Sequence, residues 1–136
     1  MSLNSPAGLE VLPPHLSVVI PAYNEEARIG PTLEQVLAYF DRQDYEVEIL
    51  VVDDGSTDNT QAVVREVAGE RPSVRILHYD GNRGKGYAVR YGMTRAAGDF
   101  VLFSDADLST PIEEVEKLYA TLRQGNDIAI GSSVAW

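Results

Sequence analysis

The sequence predicts an α/β fold, a mostly parallel sheet with helices on both faces. Three observations carry this. From Leu16 onward, β-rich segments alternate with helically periodic ones. The strand segments, such as "EILVV" and "FVLF", are near-continuous apolar runs, as in strands buried on both faces. Polar and charged loops follow those runs, where parallel sheets bind ligands.

The elements follow in order. "LSVVIPA" is β-rich and is expected to stop at Pro21. "TLEQVLAYF" sets Leu33, Val36, Leu37 and Phe40 on one helical face. "VEILVVDD" is a second strand from Val47. "STDNTQAVVREVAG" opens with N-cap chemistry and closes at Gly69, with Ala62, Val63 and Val67 expected inward. "VRILHY" is a third strand. "GYAVRYGMTRAAG" is a third helix, apolar at Ala88, Tyr91 and Ala96. "FVLFSDAD" is the fourth strand. "TPIEEVEKLYATLRQG" is a fourth helix, with Pro111 in its first turn, a Thr110/Glu113 capping box and Gly125 at its end. "DIAIG" is a fifth strand. Residues 1–15 read as a flexible lead-in without the basic and apolar regions of a signal peptide, and 16–136 as one domain.

Composition bounds the function. The chain has 136 residues, enough for one domain with a core. Eleven Lys and Arg against twenty-one Asp and Glu give a net charge of −10, which argues against nucleic acid as a partner. A phosphate ligand would need local positive groups, backbone N–H groups or a cation. There is no Cys, so disulfides and thiolate metal sites are excluded. His15 and His78 are far apart and suggest no zinc site. No apolar run reaches transmembrane length, and no basic amphipathic helix is evident.

Four strand ends carry candidate chemistry. Asp105 and Asp107 lie one residue apart after the fourth strand. Side chains two apart on an extended segment point the same way, so the pair suits a hard cation, Mg²⁺ or Mn²⁺. The plainer reading has one aspartate capping the next helix and the other solvated. Ser109 and Thr110 are better caps and leave the aspartates unexplained. "DDGSTD", Asp53 to Asp58, is a good turn and N-cap sequence in itself. Its Asp54, at a strand end, is also placed to accept hydrogen bonds from a base. "PAYNEE", Pro21 to Glu26, is either a surface turn or a nucleoside wall, with Tyr23 as a stacking face and Glu25 as an acceptor. "GNRGKGYA", Gly81 to Ala88, is either a flexible turn with Lys85 solvated or a phosphate cradle ahead of a helix. It is not a Walker A loop, because Gly86 follows Lys85, and "IPAYNEE" lacks the glycines of a dinucleotide fingerprint.

Jointly, "VVIPAYNEE", "VVDDGSTDNT", "NRGKGYAVRYGM" and "FSDADLSTP" resemble the N-terminal half of family 2 glycosyltransferases of the GT-A (Rossmann-like) fold, over about Leu16 to Ser132. Within that family the chain is most similar to dolichyl- and polyprenyl-phosphate glucosyl- and mannosyltransferases. The resemblance implies that Pro21, Ala22, Tyr23 and Glu25 border the nucleoside. It implies Asp54 near the base, Lys85 and Asp105 at the nucleotide, and Asp105 and Asp107 on a divalent metal, Mg²⁺ or Mn²⁺. Asp107 is the residue it makes catalytic. Two departures stand out. Gly131-Ser132-Ser133 replaces a common Gly-Ser-Arg, and relatives continue beyond the fifth strand. The chain is therefore expected to be the donor-binding part of a longer enzyme.

The implied reaction is metal-dependent, inverting transfer of a hexose from a nucleotide diphosphate-sugar to polyprenyl phosphate. UDP-glucose is the first choice of donor and GDP-mannose the second. The expected place is the cytoplasmic face of a membrane, with membrane contact through parts beyond this chain. The alternatives are a nucleotide-sugar-binding domain without transferase activity, or a family 2 transferase with a saccharide acceptor. A phosphatase with D-x-D after an apolar strand is disfavoured, because three βα units precede the motif here.

Overall fold

A computed structural model describes residues 14–106, with positions 114, 117, 120, 134 and 135. The expected fourth helix apart from positions 114, 117 and 120, the "DIAIG" strand, Gly131-Ser132-Ser133 and Asp107 lie outside the described residues. Described strands are β1 (Leu16–Ala22), β2 (Val47–Asp53), β3 (Val74–His78), β4 (Phe100–Ser104) and β5 (Val134–Ala135). Helices are α1 (Ile29–Asp41), α2 (Thr60–Ala68) and α3 (Lys85–Met93). The sheet order is β3-β2-β1-β4-β5. The first four strands are parallel and β5 runs antiparallel to β4.

The alternation of side chains along each strand divides the core into two layers. Leu16, Val18, Ile20 and Ala22 of β1, with Ile49 and Val51 of β2, pack under α1 and α2. Val19, Leu50 and Val52 face the other way, against Ala88 of α3. The sequence expectation of helices on both faces holds, and the reason is topological. β1, β2 and β3 step one way across the sheet. β4 then returns to pair with β1 on its other side, and right-handed crossovers put α3 on the opposite face. The strand order reverses between β1 and β4, which is where such sheets open a ligand crevice.

The α1 face is as expected, with Leu33, Val36, Leu37 and Phe40 buried. Three local expectations fail. Ala62 of α2 is exposed; the buried row is Thr60, Val64 and Ala68, with Val63 and Val67 packed at its side. Val63 and Val67 thus meet the core as expected and Ala62 does not. α3 ends at Met93, so Ala96 reaches the second core layer from the following loop. β1 continues through Pro21 to Ala22. Pro21 has no N–H to donate, and it lies beyond the last β1–β4 pair, Val19 with Phe103. Positions 14 and 15 are also already tied in, with Pro14 O and His15 O accepting from the N–H groups of Asp99 and Phe100.

α3 sits close on the sheet because Gly92 is small. A Cβ there would lie 2.6 Å from Val19 Cγ1 and 2.9 Å from Val52 Cγ2. This close seat fixes the helix whose first turn carries Lys85.

Candidate functional site

The carboxyl ends of β1, β2 and β4 and the N-terminus of α3 enclose a cleft of about 440 Å³. Pro21, Ala22, Tyr23, Glu25, Asp54, Lys85 and Asp105 all line it. These are all the residues singled out from sequence apart from Asp107. Asn82, Gly84 and Ala106 complete the wall. Asn82 and Gly84 belong to the Gly-rich segment already noted, but their part in the wall depends on a loop contact that no local pattern shows.

Two loops brace the Tyr23 side of the cleft. Asn24 takes a positive φ of 52°, unlike any other described non-Gly residue. Its N–H donates to Ser56 Oγ at 2.9 Å, and its Oδ1 accepts from the Thr57 N–H at 2.8 Å. The Glu25 N–H donates to Thr60 Oγ1 at 2.9 Å, and the Glu26 N–H to Asp58 Oδ2 at 3.2 Å. "DDGSTD" is therefore largely a bracket for the β1–α1 loop, with Asp53 accepting from the Ser56 N–H and from Gln61. Within this frame Tyr23 is 45% exposed, a flat ring left open at the cleft. Glu25 is held by Arg28, whose Nε and Nη2 each donate at 2.7 Å to a different carboxylate oxygen.

Asp54 is only 3% exposed and is the hub of the cleft floor. Oδ1 accepts from Tyr79 OH at 2.5 Å and from the Arg83 N–H at 2.8 Å. Oδ2 accepts from Asn82 Nδ2 at 3.0 Å and from the Gly84 N–H at 2.9 Å. A carboxylate has about four acceptor positions, and all are filled from the 79–84 loop. A base donor at Asp54 would have to displace one of these partners. The sequence reading missed this role, since the partners lie 25 to 30 residues away. Burial, and then the bond to Asp54, push the Tyr79 hydroxyl well above its ordinary pKa, so it stays a donor.

Asp54 thereby sets the start of α3. Gly84, at φ 98°, is its N-cap and donates to Asp54; Lys85 is its first residue. Lys85 Nζ donates to Asp105 Oδ1 across the cleft and lies 5.6 Å from the Phe103 ring centre. The ammonium of the first residue of α3 thus meets the first aspartate of D-x-D. Thr32 Oγ1 of α1 holds the same loop by donating to Ala106 O. No group of three or more His, Cys, Asp or Glu side chains is spaced for a metal among the described residues. Asp105 is a hard-oxygen ligand open to the cleft. Mg²⁺ and Mn²⁺ sites that use one or two carboxylates plus phosphate oxygens fit such a donor.

Known proteins are similar to this chain in sequence and fold. Residues 17–136 match the glycosyl transferase family 2. A dolichyl-phosphate beta-glucosyltransferase of Drosophila melanogaster is 40% identical over 130 residues, covering 86% of this chain and 40% of that protein. An undecaprenyl-phosphate 4-deoxy-4-formamido-L-arabinose transferase of Proteus mirabilis is 39% identical over 114 residues, covering 83% of this chain and 35% of that protein. The chain thus spans well under half the length of these relatives. Among solved structures, the mannosyltransferase PcManGT from Pyrobaculum calidifontis, in complex with GDP-Man and Mn²⁺, aligns at a TM-score of 0.64 and 31% identity over 76% of this chain and 30% of that one. Glucosyl-3-phosphoglycerate synthase from Mycobacterium tuberculosis, with Mn²⁺, UDP and glucosyl-3-phosphoglycerate, aligns at 0.65 and 30% identity over 83% of this chain and 41% of that one. The fold is the expected α/β, GT-A type.

Proposed function

The chain belongs to glycosyl transferase family 2, and from that premise we propose that it is the donor-binding part of an enzyme that moves a hexose from a nucleotide diphosphate-sugar to polyprenyl phosphate. UDP-glucose is the proposed donor and GDP-mannose the second choice. The observation that carries the reading is the cleft itself. The exposed Tyr23 ring, Glu25 and the Lys85–Asp105 pair line one crevice, which suits a base, a ribose and a diphosphate.

The residues divide the work. Pro21, Ala22 and Tyr23 form the wall on which a nucleoside lies. Glu25, fixed by Arg28, offers its remaining lone pairs to ribose hydroxyls. Asp54 holds the loop that carries Gly84 and Lys85 toward the phosphates. Lys85 stabilises negative charge on the diphosphate as it departs. Asp105, with Asp107, would hold Mg²⁺ or Mn²⁺, which supplies charge neutralisation at the leaving diphosphate when bound. An acceptor phosphate is already anionic, so attack on the anomeric carbon needs little proton removal. A single displacement inverts that centre.

Thermal shift against UDP, GDP, UDP-glucose and GDP-mannose, with Mn²⁺ and with EDTA, tests the donor. UDP-glucose with Mn²⁺ should stabilise most. No stabilisation by any of the four would reject the donor-site reading. Transfer of labelled glucose to a short polyprenyl phosphate by the longer protein tests the acceptor. Preference for a free saccharide would favour the saccharide-acceptor reading.

A further inference from the structure

The outer side of α3 is basic and aromatic in an acidic chain. Between Gly81 and Gly98 lie four of the eleven Lys and Arg and none of the twenty-one Asp and Glu, so this stretch is +4 in a chain of −10. Lys85 turns to Asp105. Arg83, Arg90 and Arg95 are exposed and have no carboxylate partner among the described residues. By contrast Arg28, Arg71 and Arg75 are matched to Glu25, Asp41 and Glu48. The Arg83 guanidinium carbon lies 5.1 Å from the Tyr87 ring centre and 5.3 Å from that of Tyr79. That of Arg95 lies 3.5 Å from the Tyr91 ring centre. Tyr87 and Tyr91 stack at 6.2 Å.

We propose that this face of α3 docks on an anionic lipid bilayer. The proposal rests on the polyprenyl-phosphate reading, because such an acceptor resides in a membrane. Arginines held on tyrosine rings keep their full charge for an outside anion. Tyr87, half-buried at this face, is apolar in body and polar at its tip, which suits the headgroup layer. The negative charge elsewhere is screened beyond about 8 Å at physiological salt, so the patch acts locally. The acidic remainder then turns the molecule patch-first toward the membrane. Lys85 begins the same helix, so docking by this face brings the donor cleft to the bilayer. The sequence expectation placed membrane contact only in other parts of the protein, and the proposal adds this face to them. The patch escaped that reading because the net charge hides it.

Co-sedimentation of this chain with vesicles tests the proposal, using phosphatidylcholine alone and equimolar phosphatidylcholine and phosphatidylglycerol. Binding is expected only to the anionic vesicles, weakening with salt. At about five-fold per basic residue, Arg90→Gln/Arg95→Gln should lower partitioning about twenty-five-fold. Arg90→Lys/Arg95→Lys should retain it. Arg42→Gln/Arg65→Gln, which removes equal charge from the C-cap of α1 and from α2, should leave it near wild type. No anionic-dependent binding, or equal loss in the α1/α2 control, would overturn the proposal. If the chain binds anionic vesicles while the longer protein glycosylates no polyprenyl phosphate, the acceptor reading fails and the docking surface stands.

Discussion

Lys85, at the first turn of α3, donates from Nζ to Oδ1 of Asp105, at the end of β4. The pair lies at the end of the cleft proposed for the phosphates. Both side chains retain exposure, at 58% and 27%, so the bond contributes little to stability, roughly 0–1 kcal/mol. Its worth lies in binding. Lys85→Met is expected to leave the unfolding midpoint nearly unchanged while weakening UDP by about ten-fold, as for loss of one hydrogen bond to a charged group. Uridine affinity should not move. Calorimetric titration with UDP and uridine decides it, and equal loss of both would place Lys85 at the nucleoside instead.

The same end of the cleft should respond to metal. In a chain of −10, a bare diphosphate meets repulsion that one lysine offsets only in part. Mn²⁺ or Mg²⁺ should therefore raise UDP or GDP stabilisation above that seen in EDTA. Asp105→Asn should remove most of that difference and keep the fold, because the residue is at a strand end. Asp107→Asn should act in the same direction. A metal effect that survives both substitutions would remove these aspartates from the metal site.

Asp54 sharpens a prediction that sequence alone would make differently. Read as a base acceptor, its loss should spare pyrophosphate binding. In the structure its four partners are the 79–84 loop and Tyr79. Asp54→Ala is therefore expected to weaken UDP and pyrophosphate alike. Hydrogen exchange of the amides at positions 83 and 84 should speed up as well. Unchanged pyrophosphate affinity with slow exchange would restore the base-reading role.

Much of the site was legible because topology does the gathering. Parallel strands bring their carboxyl ends to one edge, so "PAYNEE", Asp54 and Asp105 meet without any local signal beyond strand assignment. The unread part depends on loop against loop. Nothing near Asn24 announces its bonds to Ser56 and Thr57. Nothing near Tyr79 announces Asp54, 25 residues earlier. Ala62 was misplaced for a different reason. α2 is short and offers neighbouring apolar rows, and only packing on the sheet chooses Val64 and Ala68.

Gly55 tests the loop contact directly. It has φ 74°, and a Cβ there would lie 2.3 Å from the Gly81 carbonyl carbon and 2.6 Å from the Asn82 nitrogen. Both neighbours are backbone, so neither can turn aside. Gly55→Ala should cost roughly 1–3 kcal/mol through backbone strain and overpacking together. It should also push the 79–84 loop off Asp54, so UDP affinity falls with stability. Gly86→Ala, where a Cβ meets nothing within 4 Å, should do neither. Denaturant unfolding of both variants, paired with UDP titration, provides the comparison.

Tyr79 links the same loop to pH. Burial and Asp54 raise its pKa in the folded chain, whereas in the unfolded chain it ionises near its ordinary value of about 10. Above that pH the unfolded state releases a proton that the folded state retains, so stability falls as pH rises. The contribution of the Tyr79–Asp54 bond is thus complete below about pH 10 and is lost on the alkaline side. Tyr79→Phe lacks both the bond and the proton. Wild type should be the more stable near neutrality, and its lead should shrink steadily above about pH 10. Ultraviolet titration should show a late tyrosine ionisation that Tyr79→Phe removes. Loss of an ordinary ionisation and no late one in Tyr79→Phe, or a stability gap that stays constant with pH, would mean that Asp54 and Tyr79 are not bonded in solution.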